Sequence, residues 1–282
     1  MAHQDEPIGS IKHPAVDGAR RALGVIGGEE PTAFLADGLR LARRAVEAGA
    51  PVRELFFLHP VEGPELEELG AEASRRGIPW RRVTRGVFFK ILDLGYETSV
   101  RALAVLERPP SADVRGLLDA DGLALVGEQI QDPRNVGVLV RTADACGACC
   151  AMFTRDSADP WSRAAVRSST GSIFRVPIAI AANPADYLES LKGDGLRVVG
   201  TSAHGERPCW HADLTGRVAV VLGNESVGVS DEVRAVCDDL VTIPMHGGAD
   251  SFNVTVAAGM VLYERLRQAA AQQQHGPQMS TG

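Results

Sequence analysis

The stretch VAVVLGNESVGVSDEVRAVCDDLVTIPMHGGADSFNVTVAAGMVLY, residues 218–263, decides the fold. It holds two short apolar runs, Val218–Leu222 and Leu240–Ile243, each followed by a polar loop that contains glycine. Short β-branched runs bounded in this way predict buried strands. A helix-length segment, Ser230–Asp238, separates them. Strands that alternate with helices indicate an α/β fold with a parallel sheet.

The loops after these two runs carry a concentration of polar side chains. Ligands of parallel α/β sheets bind beyond the carboxyl ends of the strands, so we expect both loops to line one crevice. The polar side chains of this crevice would be Asn224, Glu225, Ser251 and Asn253. Gly223, Gly247 and Gly248 would leave backbone exposed beside them. An apolar segment with helical character, Val254–Leu266, follows the second loop.

The bulk properties predict a two-domain protein. The chain has 282 residues, and this length exceeds the usual size of one domain. Hydrophobic residues make up 45% of the chain. No apolar stretch reaches transmembrane length and the start, MAHQDEPIGS, is polar, so we expect a cytoplasmic protein without an export signal. The five cysteines are an odd number, which argues against a disulfide framework.

Ordinary metal and nucleotide signatures are missing. The run Cys146-Gly-Ala-Cys149-Cys150 has no second ligand pair at a matching spacing. The cluster of His204, Cys209 and His211 lacks a fourth ligand, which a structural zinc site needs. We therefore predict no metal. The chain has neither a Walker A motif nor a G-x-G-x-x-G run after a strand, so neither of those nucleotide-binding sites is predicted.

The charge pattern leaves two interpretations open. The net charge of −7 weighs against nucleic-acid binding if it is taken alone. However, only three of the 29 basic residues are lysines, and arginine suits bidentate phosphate contacts and stacking on bases. A high share of arginine can equally reflect the base composition of a genome.

The first hundred residues alternate between helical and strand patterns, which predicts a small α/β domain. Residues 1–13 lack periodicity and are predicted to be a flexible tail. Predicted helices are His13–Leu23, Pro31–Ala50, Pro64–Arg76 and Thr84–Leu94. Predicted strands are Val52–Leu58, Ile78–Val83 and Ser99–Leu106. Pro109-Pro110 then interrupts the chain and marks a linker over residues 109–118.

The second half continues the alternation. Predicted strands are Leu123–Val126, Cys149–Thr154 and Arg197–Gly200, and predicted helices are Gly137–Ala145, Ser162–Ser168 and Pro184–Leu191. Asn135 stands just before the first of these helices, where its side chain could cap the free amides. Arg141 lies one to two turns into that helix. The low-complexity residues 269–282 are predicted to be a disordered tail.

Three spaced motifs carry a family resemblance. They are IQDPRNVGVLVRTADACGA at 130–148, LGNESVGVS at 222–230, and IPMHGGADSFNVTVAAGMVLYE at 243–264. In this order they resemble the SpoU/TrmH branch of the SPOUT RNA methyltransferases. The resemblance covers Asp119–Arg267 well and the first hundred residues loosely.

The resemblance implies a particular architecture. Residues 14–108 would form a ribosomal L30e-like α/β domain that binds the RNA substrate. Residues 119–268 would form the methyltransferase domain, a parallel sheet with helices on both faces and a deep carboxy-terminal trefoil knot. The resemblance also implies a homodimer in which a residue of the first motif reaches the partner's site.

The resemblance also implies which residues act. S-adenosylmethionine would lie in the crevice formed by three loops. The residues implied to bind it are Thr201, Ser202, Ala203, Gly205, Leu222, Gly223, Asn224, Ile243, Met245, Ser251, Phe252, Asn253 and Val254. The residues implied in catalysis are Arg141, Asn135, Glu225, Ser251 and Asn253. Because arginine stays protonated, we expect Arg141 to stabilise the alkoxide rather than to remove its proton.

Arginine clusters of the amino-terminal domain are candidates for phosphate contacts with RNA. These are Arg40, Arg43, Arg44, Arg75, Arg76, Arg81, Arg82 and Arg85. Arginines on helix faces that contact only solvent would give the same sequence pattern, so this alternative stays open. Trp80, beside them, could stack on a base, although a place in the core of the small domain is the stronger prediction.

The function implied by the resemblance is methylation of a ribose 2′-hydroxyl in RNA with S-adenosylmethionine as cofactor. The amino-terminal module favours 23S ribosomal RNA, and some members of the family that carry it confer resistance to antibiotics that bind the ribosome. The alternatives are a transfer-RNA 2′-O-methyltransferase, methylation of a base, and a catalytically silent RNA-binding protein of the same fold. The intact polar residues of the three motifs count against the silent protein.

Overall fold

The computed structural model describes residues 6–93, 99–205 and 207–275. It divides into two compact units, and each has its own sheet. The first unit is Met1–Pro110 together with Trp161–Arg175, and the second is Ser111–Pro160 together with Val176–Gly282. No described helix is both long enough and apolar enough to span a membrane.

The first unit is built on a four-stranded mixed sheet in the order β1-β4-β2-β3. Its strands are β1 (Ala33–Asp37), β2 (Val52–Leu58), β3 (Trp80–Val83) and β4 (Ala102–Glu107). Its first four helices are α1 (Pro14–Ala22), α2 (Leu39–Glu47), α3 (Pro64–Arg75) and α4 (Arg85–Leu92). β4 is antiparallel to both β1 and β2, whereas β2 and β3 are parallel. The apolar faces of α1 and α4 bury Val16 and Phe88 against Phe56 and Leu103 of the sheet.

The predicted helix over Pro31–Ala50 is wrong in its first half. Residues Ala33–Asp37 form β1, which is buried at every position and pairs along its length with β4. Gly38 then takes a φ of 101°, which ends the strand before α2 begins. The apolar residues Phe34 and Leu35 fit a buried strand as well as a helix, and pairing with a distant strand decides between them.

The predicted tail over residues 1–13 differs from the structure in its described part. The amide of Ile8 donates to the carbonyl oxygen of Arg82 at 2.8 Å, and the amide of Thr84 donates to the carbonyl oxygen of Ile8 at 3.0 Å. Ile8 therefore forms a bridge beside β3, because the free edge of that strand offers backbone partners. Residues 1–5 lie outside the described part of the chain, as does the predicted end of the helix at Leu94.

The segment Trp161–Arg175 belongs to the first unit, although its sequence position is inside the region assigned to the methyltransferase domain. It contains helix α7 (Arg163–Ser168) and a 3₁₀ turn over Ser172–Phe174. The ring of Phe174 stacks on Phe34 at 6.4 Å, and Arg163 and Arg167 donate to the carboxylate of Asp37. The first unit is therefore not contiguous in sequence. The sequence does not predict this, because long-range contacts leave no local pattern.

The second unit is built on a seven-stranded parallel sheet in the order β7-β6-β5-β10-β8-β11-β9. Its strands are β5 (Leu123–Gly127), β6 (Cys150–Thr154), β7 (Ile178–Ala181), β8 (Arg197–Thr201), β9 (Arg207–Pro208), β10 (Val218–Leu222) and β11 (Asp239–Thr242). Its helices are α5 (Val114–Leu117), α6 (Pro133–Ala145), α8 (Pro184–Lys192), α9 (Asp231–Val236) and α10 (Val254–His275), with a 3₁₀ turn over Cys209–His211. The predicted α/β fold with a parallel sheet is confirmed.

Alternate residues of the central strands pack into two layers, as expected for a sheet that is covered on both faces. Ala219 and Val221 of β10 join a core with Leu188 of α8 and Val233 of α9. The intervening residue Val220 is also fully buried, and α6 and α10 pack against β5 and β10. Such burial is the main stabilising contribution to this unit.

Two helix boundaries differ from the prediction. Helix α6 begins at Pro133 rather than Gly137, because the carboxylate of Asp132 accepts from the amide of Arg134 and caps the helix. Helix α10 runs to His275, so the predicted disordered tail from 269 is wrong for residues 269–275. Alanine and glutamine dominate those residues and favour continuation of a helix. Residues 276–282 lie outside the described part of the chain.

Candidate active site

A cleft of about 390 Å³ opens in the second unit, at the carboxyl ends of β8, β10 and β11. This volume is within the range of small-molecule sites. Three loops line it, namely the loops that follow β8, β10 and β11. All of the predicted cofactor residues line the cleft except Gly205. Because these loops end adjacent parallel strands, the pairing of β10 and β11 with β8 brings them together.

Gly223 permits the closest backbone approach in the cleft. A Cβ atom at this position would lie 2.1 Å from the carbonyl carbon of Gly228 and 2.2 Å from the amide nitrogen of Val229. No side chain fits at such distances, so the loop after β10 closes on itself only because residue 223 is glycine. The conformation places the backbone of Gly223 and Gly228 together on the wall of the cleft.

Asn224 holds the next turn of this loop. Its Oδ1 accepts from the amides of Ser226 at 2.8 Å and Val227 at 3.2 Å, which is an Asx-type turn. Its Nδ2 donates to the carbonyl oxygen of Gln129 at 2.8 Å. Asn224 therefore fixes the loop after β10 to the segment that precedes α6, and its side chain is occupied by structural bonds.

Three predicted catalytic residues form one hydrogen-bonded chain. Nδ2 of Asn135 donates to Oε1 of Glu225 at 2.8 Å. Nδ2 of Asn253 is 3.4 Å from Oδ1 of Asn135, to which it donates. The Glu225 carboxylate also accepts from the amide of Gln131 at 3.2 Å. The structure thus joins all three sequence motifs at one edge of the cleft.

One of these residues has a structural role as well. Asn253 caps α10, because its Oδ1 accepts from the amide of Thr255 at 2.9 Å. The predicted capping role of Asn135 is wrong. Asp132 takes that place, and Asn135 lies inside the first turn of α6 with its side chain directed to Glu225.

Hydrogen bonding keeps Glu225 ionised. Burial raises the pKa of its carboxyl, but the bonds from Asn135, Gln131 and Asp132 outweigh that effect, and the pKa lies below its ordinary value of 4.5. At neutral pH the group is therefore a carboxylate that accepts hydrogen bonds. It accepts a hydrogen bond from Asn135, and a carboxylate with a lowered pKa is a weak base.

We expect Glu225→Gln to lower the free energy of unfolding by about 1 kcal/mol at pH 7, because a neutral amide accepts weaker hydrogen bonds at this largely exposed position. A carboxyl whose pKa is lowered on folding stabilises the protein above the unfolded pKa, and this contribution is lost as the pH falls through the folded pKa. The difference from the parent chain should therefore shrink as the pH falls below 4.5 and vanish below the folded pKa of Glu225. Urea unfolding between pH 7 and pH 3 measures it. Glu30→Gln, at an exposed position before β1, is the control and should match the parent chain throughout. A difference that persists at the acid end would contradict this origin.

The loop after β8 completes the cleft. Oγ1 of Thr201 donates to the carbonyl oxygen of Val221 at 3.0 Å. The amide of Ser202 donates to the carbonyl oxygen of Val241 at 2.9 Å. These bonds fix Thr201, Ser202 and Ala203 on the wall. Gly205, predicted to bind the cofactor, instead packs its backbone against Thr242 and is absent from the lining.

Arg141 does not line the cleft of its own chain. It is exposed on α6, and no side-chain partner occurs for it among the described residues. The helical repeat places it on the face of α6 that carries Arg134, away from Asn135. Ser251, in contrast, lines the cleft together with Phe252.

Sequence reasoning missed several residues of the site. His204, Arg234, Asp250 and the exposed Val227 also line the cleft. The buried carboxylate of Glu128 supports it from behind, since its Oε2 accepts from the amide of Ser230 at 2.9 Å. The pattern "GEQI", a carboxylate at the end of an apolar strand, is the signal that could have indicated Glu128.

Most of the predicted RNA-binding arginines take part in contacts within the first unit. Arg75 and Arg76 pair with Glu72, Arg81 with Glu54, and Arg43 with Glu68. Arg82 lies over Trp80 and Arg85 over Phe89. Trp80 packs on Phe57 at 5.4 Å and donates to Ser74, so its ring is used in packing. Arg44 donates to the carbonyl oxygen of Thr170, and Arg40 has no side-chain partner among the described residues.

Comparisons with known proteins agree with this geometry. The model of the SpoU rRNA Methylase family matches residues 122–263. A 23S rRNA (guanosine-2′-O-)-methyltransferase of Xanthomonas campestris is 33% identical over 241 residues, which cover 82% of this chain and 95% of the relative. A 23S rRNA (uridine(2479)-2′-O)-methyltransferase of Streptomyces viridochromogenes is 33% identical and aligns over 83% of each chain.

Solved structures give the same result. The crystal structure of the SpoU methyltransferase AviRb from Streptomyces viridochromogenes, in complex with AdoMet, superposes with a TM-score of 0.78 at 30% identity and covers 90% of this chain and 98% of that one. The AdoMet-bound rRNA methyltransferase from Sinorhizobium meliloti also has a TM-score of 0.78, at 28% identity, and covers 93% and 98%.

Proposed function

The chain belongs to the SpoU rRNA methylase family, and from this we propose that it is an enzyme that transfers the methyl group of S-adenosylmethionine to a ribose 2′-hydroxyl of 23S ribosomal RNA. The observation that carries the proposal is the convergence of Asn135, Glu225 and Asn253, one from each family motif, at the edge of a single cleft. The relatives named above act on the 2′-oxygen of 23S rRNA. Cytoplasmic location follows, since ribosomal RNA is the substrate.

The cleft fits S-adenosylmethionine in size and in chemistry. Gly223 and Gly228 line the cavity, and Ile243, Met245 and Phe252 offer apolar surface. Carboxylates at Glu225 and Asp250 line it as well and suit a cofactor with cationic groups. When bound, S-adenosylmethionine supplies a methyl group on a sulfonium, which is already activated for transfer.

The residues of the chain supply placement and electrostatics. The side-chain amide of Asn135 donates to Glu225 and accepts from Asn253, and these two bonds fix it at the edge of the cleft, where it can orient the ribose. Arg141 supplies a permanent positive charge that stabilises the 2′-oxygen as its proton leaves. We propose that this proton passes to water, because Glu225, whose pKa is lowered, is a weak base and a substrate phosphodiester is a weaker one.

The position of Arg141 outside its own cleft supports a homodimer in which each subunit completes the site of the other. Helix α10 carries an exposed apolar stripe of Val256, Met260 and Tyr263, with Tyr263 exposed by 69%. These residues follow the helical repeat and extend the exposed Phe252 at the edge of the cleft. A stripe of this kind marks an interaction surface, and its continuity with the cleft supports a second copy of this chain as the partner.

We expect Tyr263→Glu to convert the dimer into monomers at micromolar concentration, because a buried carboxylate without a partner opposes association. Sedimentation velocity measures the change. Ser190→Glu introduces the same charge at an exposed position of α8 and should leave the dimer intact. A Tyr263→Glu protein that still sediments as a dimer would contradict the assignment of this face.

We also propose that the second unit carries the trefoil knot of its family and that the first unit is L30e-like. The strand order supports the knot: β11 lies between β8 and β9, which precede it in the chain, and α10 follows β11. Gln268 of α10 donates to the carbonyl oxygen of Ala212 at 2.9 Å, within the connection that leads from β8 to β10. The mixed sheet flanked by four helices supports the proposal for the first unit.

Methylation of RNA tests the proposed function directly. The purified chain and radiolabelled S-adenosylmethionine are incubated with 23S rRNA transcripts and with large ribosomal subunits from its host. Complete nuclease digestion and mass spectrometry should then find label in one 2′-O-methylnucleoside. Label in a base, or label in transfer RNA alone, would refute the proposal, as would bound cofactor without any labelled nucleoside. Expression in a sensitive host, followed by measurement of growth on ribosome-targeting antibiotics, tests whether the chain confers resistance.

A further inference from the structure

Every residue of the loop after β10, residues 223–229, lines the cofactor cleft. The loop carries Glu225, which accepts from Asn135 at the edge of the cleft. Apart from one bridge between Asn224 and Gly228, the loop consists of turns and bends without regular secondary structure. The shape of this wall of the cleft therefore depends on what fixes the two ends of the loop.

Glu128 holds both ends. It follows β5, which pairs in parallel with β10. Its amide donates to the carbonyl oxygen of Leu222 at 2.8 Å, immediately before the loop begins. Its carboxylate accepts from the amide of Ser230 at 2.9 Å and also from the hydroxyl of that residue, immediately after the loop ends. One residue thus closes the base of the loop.

The chemistry of this contact requires two acceptor oxygens. Ser230 presents two donors to Glu128, its amide and its hydroxyl. Its Oγ also accepts from the amide of Val233 at 3.2 Å as the cap of α9, so the hydroxyl proton is directed to Glu128. Glutamine at position 128 would present one oxygen and one NH₂ group, and one of the two donors would lose its acceptor.

Glu128 has no direct access to the reaction. It is only 3% exposed, and it is absent from the lining of the cleft. A buried carboxylate is unfavourable unless its oxygens accept hydrogen bonds, and both oxygens of Glu128 do so from Ser230. An effect of this side chain on methyl transfer must therefore pass through the loop.

The next residue ties the middle of the loop to the sheet. Gln129 has a φ of 52°, in the left-handed region that is uncommon for residues other than glycine. Its carbonyl oxygen accepts from Nδ2 of Asn224 at 2.8 Å, and its amide donates to Oγ1 of Thr154 at 2.8 Å. Thr154 ends β6, so the loop is connected through Gln129 to a second strand of the sheet.

We propose that Glu128 is a positioning residue that sets the shape of the cofactor cleft. It holds the two ends of residues 223–229 together, so the loop is ordered for S-adenosylmethionine before the cofactor binds. A loop with a free end would have to be ordered by the cofactor itself, and this would weaken binding. The inference rests on the proposed function, because it takes the cleft to be the cofactor site.

Glu128→Gln tests the role in the whole protein. Calorimetric titration should show S-adenosylmethionine bound about tenfold more weakly or worse, because one end of the loop is released. In steady-state methylation the KM for the cofactor should rise to the same extent, while kcat stays within about threefold, because bound cofactor orders the loop again. A general loss of stability would instead lower kcat through the fraction of active enzyme and leave the KM unchanged.

Asp238→Asn is the matched control. Asp238 also accepts a backbone amide, that of Val198 at 2.8 Å, but at the amino ends of β8 and β11, away from the cleft. It makes the same change from carboxylate to amide within the same unit. Its affinity for the cofactor should remain within about twofold of the parent chain. Equal affinities of Glu128→Gln and Asp238→Asn would overturn the positioning role.

A second variant tests the partner of Glu128. Ser230→Ala removes the hydroxyl and should weaken cofactor binding about threefold or more. Combined with Glu128→Gln, it should add less than about twofold to the loss, because both changes remove the same contact. Losses that multiply would overturn the contact as the origin. If Glu128→Gln does not fold, the comparison of Ser230→Ala with Asp238→Asn decides, and equal affinities would again overturn the proposal.

Cofactor binding is measured without RNA, so failure of this inference is distinguishable from failure of the proposed function. If the parent chain binds the cofactor and methylates no nucleoside, the proposed function fails, while weaker binding by Glu128→Gln than by Asp238→Asn still supports the positioning role. If methylation succeeds and these two variants bind the cofactor equally, only the positioning role is refuted. A parent chain that binds no cofactor would refute both.

Discussion

Replacement of Arg141 by alanine is expected to lower ribose methylation by about 100- to 1000-fold, the effect of losing one group that stabilises a developing oxyanion. Binding of S-adenosylmethionine should stay within about twofold of the parent chain, because Arg141 is absent from the lining of the cleft. Single-turnover rates with labelled cofactor measure the first quantity and calorimetry the second. Arg134→Ala removes another exposed arginine from the same face of α6 and is the matched control, with an expected change of less than about threefold.

The same variant tests how the site is assembled. If Arg141 serves the partner's cleft, an equimolar mixture of Arg141→Ala with a variant defective in cofactor binding should regain activity once subunits exchange. Half of the dimers are then mixed and each has one complete site, so about a quarter of the parent activity should return. No recovery after exchange would mean that Arg141 acts within its own chain or not at all.

Gly223→Ala is expected to abolish measurable binding of S-adenosylmethionine, a loss of about 100-fold or more. The added Cβ atom would lie 2.1 Å from the carbonyl carbon of Gly228. Because this clash is with backbone and not with a flexible side chain, the loop after β10 must move. Overpacking of this kind costs about 1–3 kcal/mol, and here it displaces the wall of the cofactor cleft. Calorimetry measures the affinity, and thermal unfolding shows whether the fold survives.

Gly247→Ala provides the comparison for this experiment. Gly247 belongs to the neighbouring loop after β11, and a Cβ atom there would meet no heavy atom within 4 Å. Its affinity for the cofactor should remain within about threefold of the parent chain. If both variants bind equally well, the closed turn at Gly223 is not what shapes the cleft.

The sequence was sufficient to predict the strands and loops that form the cleft. The runs Val218–Leu222 and Leu240–Ile243 are short, β-branched and bounded by polar loops, so local pattern and tertiary role agree. Parallel strands place their following loops at one edge, and this topological rule predicted that Glu225 and Asn253 would meet. Their hydrogen-bonded connection through Asn135 then follows from the first motif.

Other features depend on contacts that no local pattern records. β1 was predicted as helix because its apolar residues satisfy both periods, and only pairing with β4 selects the strand. Asp132 rather than Asn135 caps α6, because the helix begins at Pro133 and two polar residues lie near its start. Arg141 lies on α6, but it is absent from the lining of the cleft of its own chain, and its part in catalysis rests on the proposed second copy.

The return of Trp161–Arg175 to the first unit has a consequence for synthesis on the ribosome. Asp37 emerges early, but the arginine that it pairs with through Nε follows 126 residues later. Until then its carboxylate lacks the two ion pairs that it has in the folded unit, and the ring of Phe34 lacks its contact with Phe174. The first unit therefore cannot complete its fold when residues 1–110 have left the exit tunnel. Its last contacts form only after more than half of the polypeptide has been translated.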